Sequence, residues 1–197
     1  MRSAGGNSMI DQVIDFVRGR FERFPHFSFG DPRIMIDHSL EVHAIACELS
    51  EEADCSRCLV EICALLHDIG KTAQEDLVTL EKHHERLGWI VSAGFLRSLA
   101  LKPEQLKAVR DFFDGRPSTE RAIVKEADIA AFFLDPVLQS AYVKWAEENG
   151  KTALIPGKWE KFDQLRLPRA KELCARAWQG SREKWRGACP GAPWKSS

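Results

Sequence analysis

Apolar positions along the chain recur at the three-to-four spacing of amphipathic helices, beginning with Met9, Val13, Phe16, Val17 and Phe21. Two Pro, a Gly and several aromatics over Phe24 to Arg33 predict a loop. A second helix is expected from about Arg33 to Glu51, and a third from Cys55 or Ser56 to the dipeptide His67-Asp68. Residues 71 to 82 show little periodicity and read as a connection. Helices follow at 83 to 100, at 104 to 114 after Pro103, and at 118 to 134, the last capped by Ser118 or Thr119. Asp135-Pro136 opens another helix, which Asn149-Gly150 stops. Ile155-Pro156-Gly157 reads as irregular, and Lys158 to Trp185 as one or two helices broken at Pro168. Gly187 to Ser197 reads as a mobile tail. No internal repeat, Walker-type loop or convincing strand run is found, so the pattern predicts an all-α, compact single-domain helical bundle.

Composition narrows the class. A chain of 197 residues with 44% hydrophobic content can bury one substantial core. Its longest apolar runs are too short to cross a bilayer, and Met1 to Ser8 lacks an apolar signal core, so a soluble cytoplasmic protein is expected. The net charge of -1 is unevenly placed: residues 151 to 197 carry 11 Lys plus Arg against 4 Asp plus Glu. That basic stretch is read as docking on the acidic body or reaching substrate phosphate, rather than as a nucleic-acid surface. Trp178 and Trp185, seven apart, are expected to pack on the bundle instead of stacking bases.

Six cysteines include Cys55-Ser56-Arg57-Cys58, which has zinc-knuckle spacing, with Cys47 and Cys63 near it in sequence. No second Cys-x-x-Cys pair follows, and Cys63 lies in an apolar run. Reduced core and surface thiols are therefore expected.

The strongest local signal is Leu65-Leu66-His67-Asp68-Ile69-Gly70-Lys71, an apolar helical run that ends on an imidazole, a carboxylate, a Gly and a cation. Gly70 reads as a C-terminal cap. Adjacent helical residues point about 100° apart, so at least one of His67 and Asp68 is expected to be half-buried. A buried carboxylate needs a partner, and a bound cation is one that also draws in neutral imidazoles. His38 sits on the second helix. His43 follows it by five residues, about 140° round the helix, and reads as a structural imidazole.

With Asp37-His38-Ser39-Leu40-Glu41-Val42, the His67-Asp68 pair and Glu126-Ala127-Asp128-Ile129-Ala130, the sequence resembles the HD-domain superfamily of metal-dependent phosphohydrolases from about Ile34 to Asp135. The resemblance implies that His38, His67, Asp68 and Asp128 share one divalent metal ion, with Mn, Fe, Ni, Co, Zn and Mg all compatible with such ligands. Some members hold a second metal through two more histidines. His84-Glu85-Arg86-Leu87-Gly88 matches the first of these, but Arg110-Asp111-Phe112-Phe113-Asp114-Gly115-Arg116 has Phe112 where the relatives that split diadenosine tetraphosphate symmetrically carry the other. One metal is favoured over two, with Asp111 or Asp114 as the residues that could substitute. The same departure counts against the di-iron oxygenase branch. The organisation implied is an N-terminal helix and loop (1–30), an HD-type core (31–135), a C-terminal helical extension of the same domain (136–186) and a flexible tail (187–197).

The chemistry implied is hydrolysis at phosphorus, because a metal with open positions activates water and stabilises developing charge. Asp68 would ligate and orient the attacking water. Lys71 would pair with a phosphate oxygen, unless it only favours the negative end of its helix. His84 is a candidate for phosphate contact or leaving-group protonation, with Lys82 and Arg116 as further phosphate contacts; Arg116 could equally cap the preceding helix. His26 and His83 are left out of the site. Specificity is expected in 72 to 82, around Phe112 to Arg116, and in the basic stretch after Lys151. Two functions fit: a phosphomonoesterase or phosphodiesterase acting on a nucleotide or other small phosphorylated metabolite, and a catalytically silent metal- or nucleotide-binding regulatory module. No membrane partner is expected, and oligomerisation stays open, since Trp89, Phe132 and Phe133 could serve core or interface.

Overall fold

Side chains close to the start of each helix explain why the helices begin where they do. Ser8 accepts from the Asp11 backbone and Asp11 accepts from the Ser8 N–H, a capping box that opens α1 (Met9–Arg23). Asp31 caps α2 (Pro32–Leu49), with proline at its first position. The Ser56 N–H, before α3 (Arg57–Leu66), is taken by the Glu120 carboxylate, which ties the start of α3 to another helix. A short 3-10 turn at Ile69–Thr72 follows, then α4 (Leu77–Ser98) and α5 (Pro103–Phe113). Ser118 caps α6 (Thr119–Leu134), and Asp135 caps α7 (Pro136–Glu148) by accepting from two backbone N–H groups. Gly150, at φ +65°, lets the chain turn after α7. Two short pieces, α8 (Ile155–Trp159) and a 3-10 turn at Glu160–Gln164, lead to α9 (Pro168–Ala188).

The computed structural model describes residues 8–25, 29–73 and 77–188. Among these no strand occurs, and the protein is an all-α bundle with extra C-terminal helices. The centre is formed where α2 meets α3 and α6. Val42 and Ala46 of α2, Leu65 and Leu66 of α3, and Ala127 and Ala130 of α6 are buried there. Small residues on α6 let its neighbours approach closely. α9 covers α6 from outside. Burying that apolar surface, at about 25 cal/mol per Å², is the main force holding the helices together. No described helix is long and apolar enough to cross a membrane.

Four local expectations are corrected. The helix expected at 83 starts at Leu77, so much of 72–82 is helical and the connection is short; residues 74–76 lie outside the described residues. Ile155-Pro156-Gly157 is not irregular but forms the first turn of α8. Pro156 is tolerated there because an N–H in a first turn has no intrahelical acceptor, and Ile155 and Trp159 are both buried one turn apart. Gly187 and Ala188, expected in the tail, belong to α9, and the rest of the expected tail, 189–197, lies outside the described residues. Gly70 is not a left-handed cap, since among the described residues only Gly30, Gly115 and Gly150 have positive φ. Glycine is required at 70 by close approach: a Cβ there would collide with the His84 carbonyl and lie 2.6 Å from Gly88 N.

The two C-terminal tryptophans pack inward, as their spacing predicts. Trp178 stacks on Phe162 at 4.3 Å and donates to the Trp159 carbonyl, while Trp185 lies 6.3 Å from the Trp159 ring. Glu126 accepts from the backbone of Arg166 and Leu167 at 2.8 and 2.7 Å, which fastens the approach to α9 onto α6 two residues before Asp128.

Candidate metal centre and its cavity

The His-Asp pair lies where α3 gives way to the 3-10 turn. His67 keeps helical dihedrals, and Asp68 leaves them at φ -105° and ψ 4°, which turns its carboxylate away from the helix surface. The His67 Nδ1–H donates to the Ala64 carbonyl at 2.8 Å. This fixes the tautomer and leaves Nε2 as a lone pair, buried and without a hydrogen-bond partner among the described residues. Arg20 of α1 donates to both the Thr72 carbonyl and its hydroxyl, and that hydroxyl donates to the Ile69 carbonyl. The turn is therefore held from behind by an arginine that sequence reading missed, because it lies 52 residues away and belongs to no motif.

Gly70 seats this turn directly on the backbone of α4 between His84 and Gly88. Gly88 in turn has the Phe113 ring against it, so close that a Cβ would collide with the ring edge. The His-x-x-x-Gly spacing thus has a packing cause. It allows the His67-Asp68 turn to approach α4 closely enough for His84 Nε2 to stand 3.8 Å from Asp68 Oδ1.

Three helices and the turn converge on one point. His38 Nε2 is 3.1 Å from Asp128 Oδ1, His67 Nε2 is 3.7 Å from the same oxygen, and Asp68 Oδ2 is 3.4 Å from His67 Nε2 and 4.0 Å from His38 Nε2. Metal–ligand bonds of about 2.0–2.2 Å put donor atoms about 3 to 4.4 Å apart around a shared ion, and all four separations fall in that range. His38, His67 and Asp128 form the compact metal-capable group. Asp68 stands beside it but is engaged by Lys71, whose Nζ is 2.5 Å from Oδ2. The orphaned His67 lone pair between two carboxylates fits a cation.

The charges support the same fit. Burial pushes the His38 imidazole down against the pull of Asp128. Burial acts likewise on His67, but Asp68 and Asp128 outweigh it and the ring ends above its ordinary value. Burial would raise both carboxyls. At Asp68 the Lys71 ammonium and then His67 overcome it, and at Asp128 the His38 hydrogen bond, His67 and Lys158 do so, leaving both well below the usual range. Two carboxylates that stay ionised, Asp68 buried and Asp128 half-buried, draw positive charge inward.

This cluster forms the floor of a cavity of about 500 Å³, within the range usual for small-molecule sites. Lys71, Lys158 and Lys161 line it, as do Phe132, Tyr142 and Trp145. Burial, with help from Lys161, pushes the Lys158 ammonium down to about 8 against the attraction of Asp128. Its Nζ lies 4.8 Å over the Phe132 ring.

The structure thus brings together His38, His67, Asp68, Lys71, His84 and Asp128. It does not bring Arg116 to the cavity: this residue follows Gly115 out of α5 and its guanidinium turns back to Asp111 at 3.3 Å on the surface. Lys82 is exposed on α4, away from the cavity lining. Phe112 is buried, and its carbonyl accepts from Arg121. Asp111 and Asp114 face the surface cations Lys107, Arg116 and Arg110, so neither carboxylate reaches the cavity. His83 is exposed, and His26 lies outside the described residues. Lys158 and Lys161 were missed individually, although the basic stretch containing them was noticed. With Leu154 they are four and seven residues along, a helical face that only a helical reading of 155–157 reveals.

An all-α bundle that gathers two imidazoles and two carboxylates at the floor of a cavity has the architecture of a helical metal-dependent hydrolase. The HD domain family model matches residues 35–132, which span every residue of the cluster from His38 to Asp128. The chain belongs to the HD-domain family, a superfamily of metal-dependent hydrolases. Comparison with curated proteins and with solved structures returned no match.

Proposed function

We propose that this protein is a metal-dependent phosphohydrolase, acting as a phosphomonoesterase or phosphodiesterase on a nucleotide or similar small phosphorylated metabolite. The observation that carries the reading is the unpartnered His67 Nε2, set between Asp68 and Asp128 beneath a cavity that also holds three lysines. A divalent ion held by His38, His67, Asp68 and Asp128 supplies Lewis acidity and lowers the pKa of adjacent water. Asp68, kept ionised by Lys71, orients the nucleophile. Lys71, Lys158 and Lys161 bind the non-bridging phosphate oxygens. His84, whose Nδ1–H donates to the Leu80 carbonyl at 3.2 Å, presents Nε2 beside Asp68 and is placed to pass a proton to the leaving group. Phe132, Tyr142 and Trp145 give the cavity an aromatic side suited to packing the ring of a base. Because residues beyond 135 line the same cavity, 136–186 are read as an extension of the domain centred on 31–135.

One observation favours the silent module instead: Lys71 occupies Asp68, which leaves three residues in the compact metal-capable group. Phosphate release from mononucleotides, dinucleoside polyphosphates, cyclic dinucleotides and guanosine tetraphosphate, with several divalent metals, separates the two. Metal-dependent release that Asp68→Ala abolishes is expected. Ligand binding without product by the folded, metal-loaded protein would establish the module, and full activity in Asp68→Ala would refute the role given to that carboxylate.

A further inference from the structure

A second metal-capable group lies on the same two helices, away from the cavity. His43 and Cys47 are four residues apart on α2 and so share a face, and Glu61 comes across from α3. Cys47 Sγ is 3.6 Å from His43 Nε2 and 3.7 Å from Glu61 Oε1. Bonds of about 2.3 Å to sulfur and 2.0–2.2 Å to nitrogen or oxygen give a tetrahedral edge of about 3.5–3.6 Å, so Cys47 Sγ stands close to the separation a shared tetrahedral ion requires from both other donors, and all three lie within 4.8 Å of one another. From His38, His43 is about 7.5 Å along the helix and about 140° round it, which separates this group from the cavity floor.

We propose that His43, Cys47 and Glu61 form a second metal site, selective for a zinc-class divalent ion, that cross-links α2 to α3. One thiolate, one imidazole and one carboxylate match the ligands such ions prefer over magnesium or calcium. All three side chains are partly buried, shielded enough to be ordered and open enough to admit an ion. Arg57 accompanies the group: its Nε is 3.6 Å from Glu61 Oε1 and its Nη1 donates to the Cys47 carbonyl at 3.2 Å, an outer partner that orients both ligands. Burial pulls the His43 imidazole down, toward the neutral form that ligates, and pushes the Cys47 thiol up, so an ion bound here must displace the thiol proton. The zinc-knuckle spacing at Cys55 and Cys58 is not where the thiol ligand is supplied, since neither belongs to a metal-capable group among the described residues. The ion would clamp the helix bearing His38 to the helix that ends in His67-Asp68.

Sulfur distinguishes this site from the first, which contains none. Cobalt(II) titrated into the reduced full-length protein should produce a thiolate-to-cobalt charge-transfer band whose amplitude corresponds to one thiolate-bound ion per chain, in addition to the cobalt that the first site takes up. The band should persist in the His67→Ala/Asp128→Ala double variant, disappear in Cys47→Ala, and require about tenfold or more additional cobalt in His43→Ala or Glu61→Gln. In unmodified protein, zinc should also slow alkylation of Cys47 about tenfold while leaving Cys55 unchanged, which tests the site even if a variant fails to fold. A wild-type protein with no band and no protection would show that Cys47 makes only a hydrogen bond to Glu61. A band that survives Cys47→Ala would place the metal on other thiols; either result overturns the proposal.

Discussion

The floor and the mouth of the cavity are built in opposite ways. The floor is rigid and redundantly held: His67 is fixed by Ala64, its turn by Arg20 and Gly70, and the carboxylates by charges buried with them. The mouth is supplied by the end of α6, by α7, by α8 and by the 3-10 turn after it, whose lysines are only partly buried and whose aromatic rings are tilted against one another. The difference teaches a division of labour. On the proposed reading, groups that hold an ion within tenths of an ångström come from helices locked in the core, whereas groups that select a substrate sit on segments free to diverge.

Breaking the floor should have the largest effect. His67→Ala removes the orphaned lone pair, and loss of several kcal/mol of transition-state stabilisation corresponds to roughly 10³-fold in rate or more. Metal content and kcat measured together would check it; a variant that retains both would show that the cluster is not the metal centre. Gly70→Ala leaves the ligands intact but forces the turn off α4. It should cost about 1–3 kcal/mol in urea unfolding and lower activity with it, because a Cβ at this position meets backbone that cannot yield.

At the mouth the effects should be smaller and should fall on KM. Lys158→Met is expected to raise KM by about 10- to 100-fold with kcat little changed, the value of one charge-assisted contact. The Lys158 ammonium is pushed down to about 8, so it is cationic below that pH and neutral above it. KM for an anionic substrate should therefore rise as pH increases through about 8, and Lys158→Met should lack that rise. The same shift implies that the fold gains stability from about pH 8 toward 10.5, where the unfolded chain holds a proton that the folded one has released. Arg116→Ala should change stability by less than about 0.5 kcal/mol and leave KM unaltered, because its guanidinium meets only Asp111 on the surface. An increase in KM there would mean that the mouth extends further than the cavity lining.

Much of the floor was legible from local pattern. Helical periodicity located α1 to α3 and α5 to α7 within a few residues, since each carries an apolar stripe, whereas α4 begins six residues before its expected start. His67 and Asp68 stood out because ionisable groups at the end of an apolar run demand a partner, and His38 and Asp128 through the resemblance to the HD-domain superfamily. What escaped notice depended on contacts between distant segments. Gly70 read as a cap because local sequence cannot reveal that α4 lies against it, and Arg116 read as a site residue because nothing local reports that Asp111 holds it.

The sequence by itself determined the all-α class, the HD-type constellation and the chemistry of its donors, since helix propensity, capping and side-chain type are local properties. Only the tertiary structure decided that Arg20 braces the metal turn, that Lys158 and Lys161 join Lys71 over the cavity, and that His43 and Cys47 meet Glu61 across two helices. Those juxtapositions are set by how helices cross, and crossing depends on the summed fit of many side chains that no short window of sequence contains.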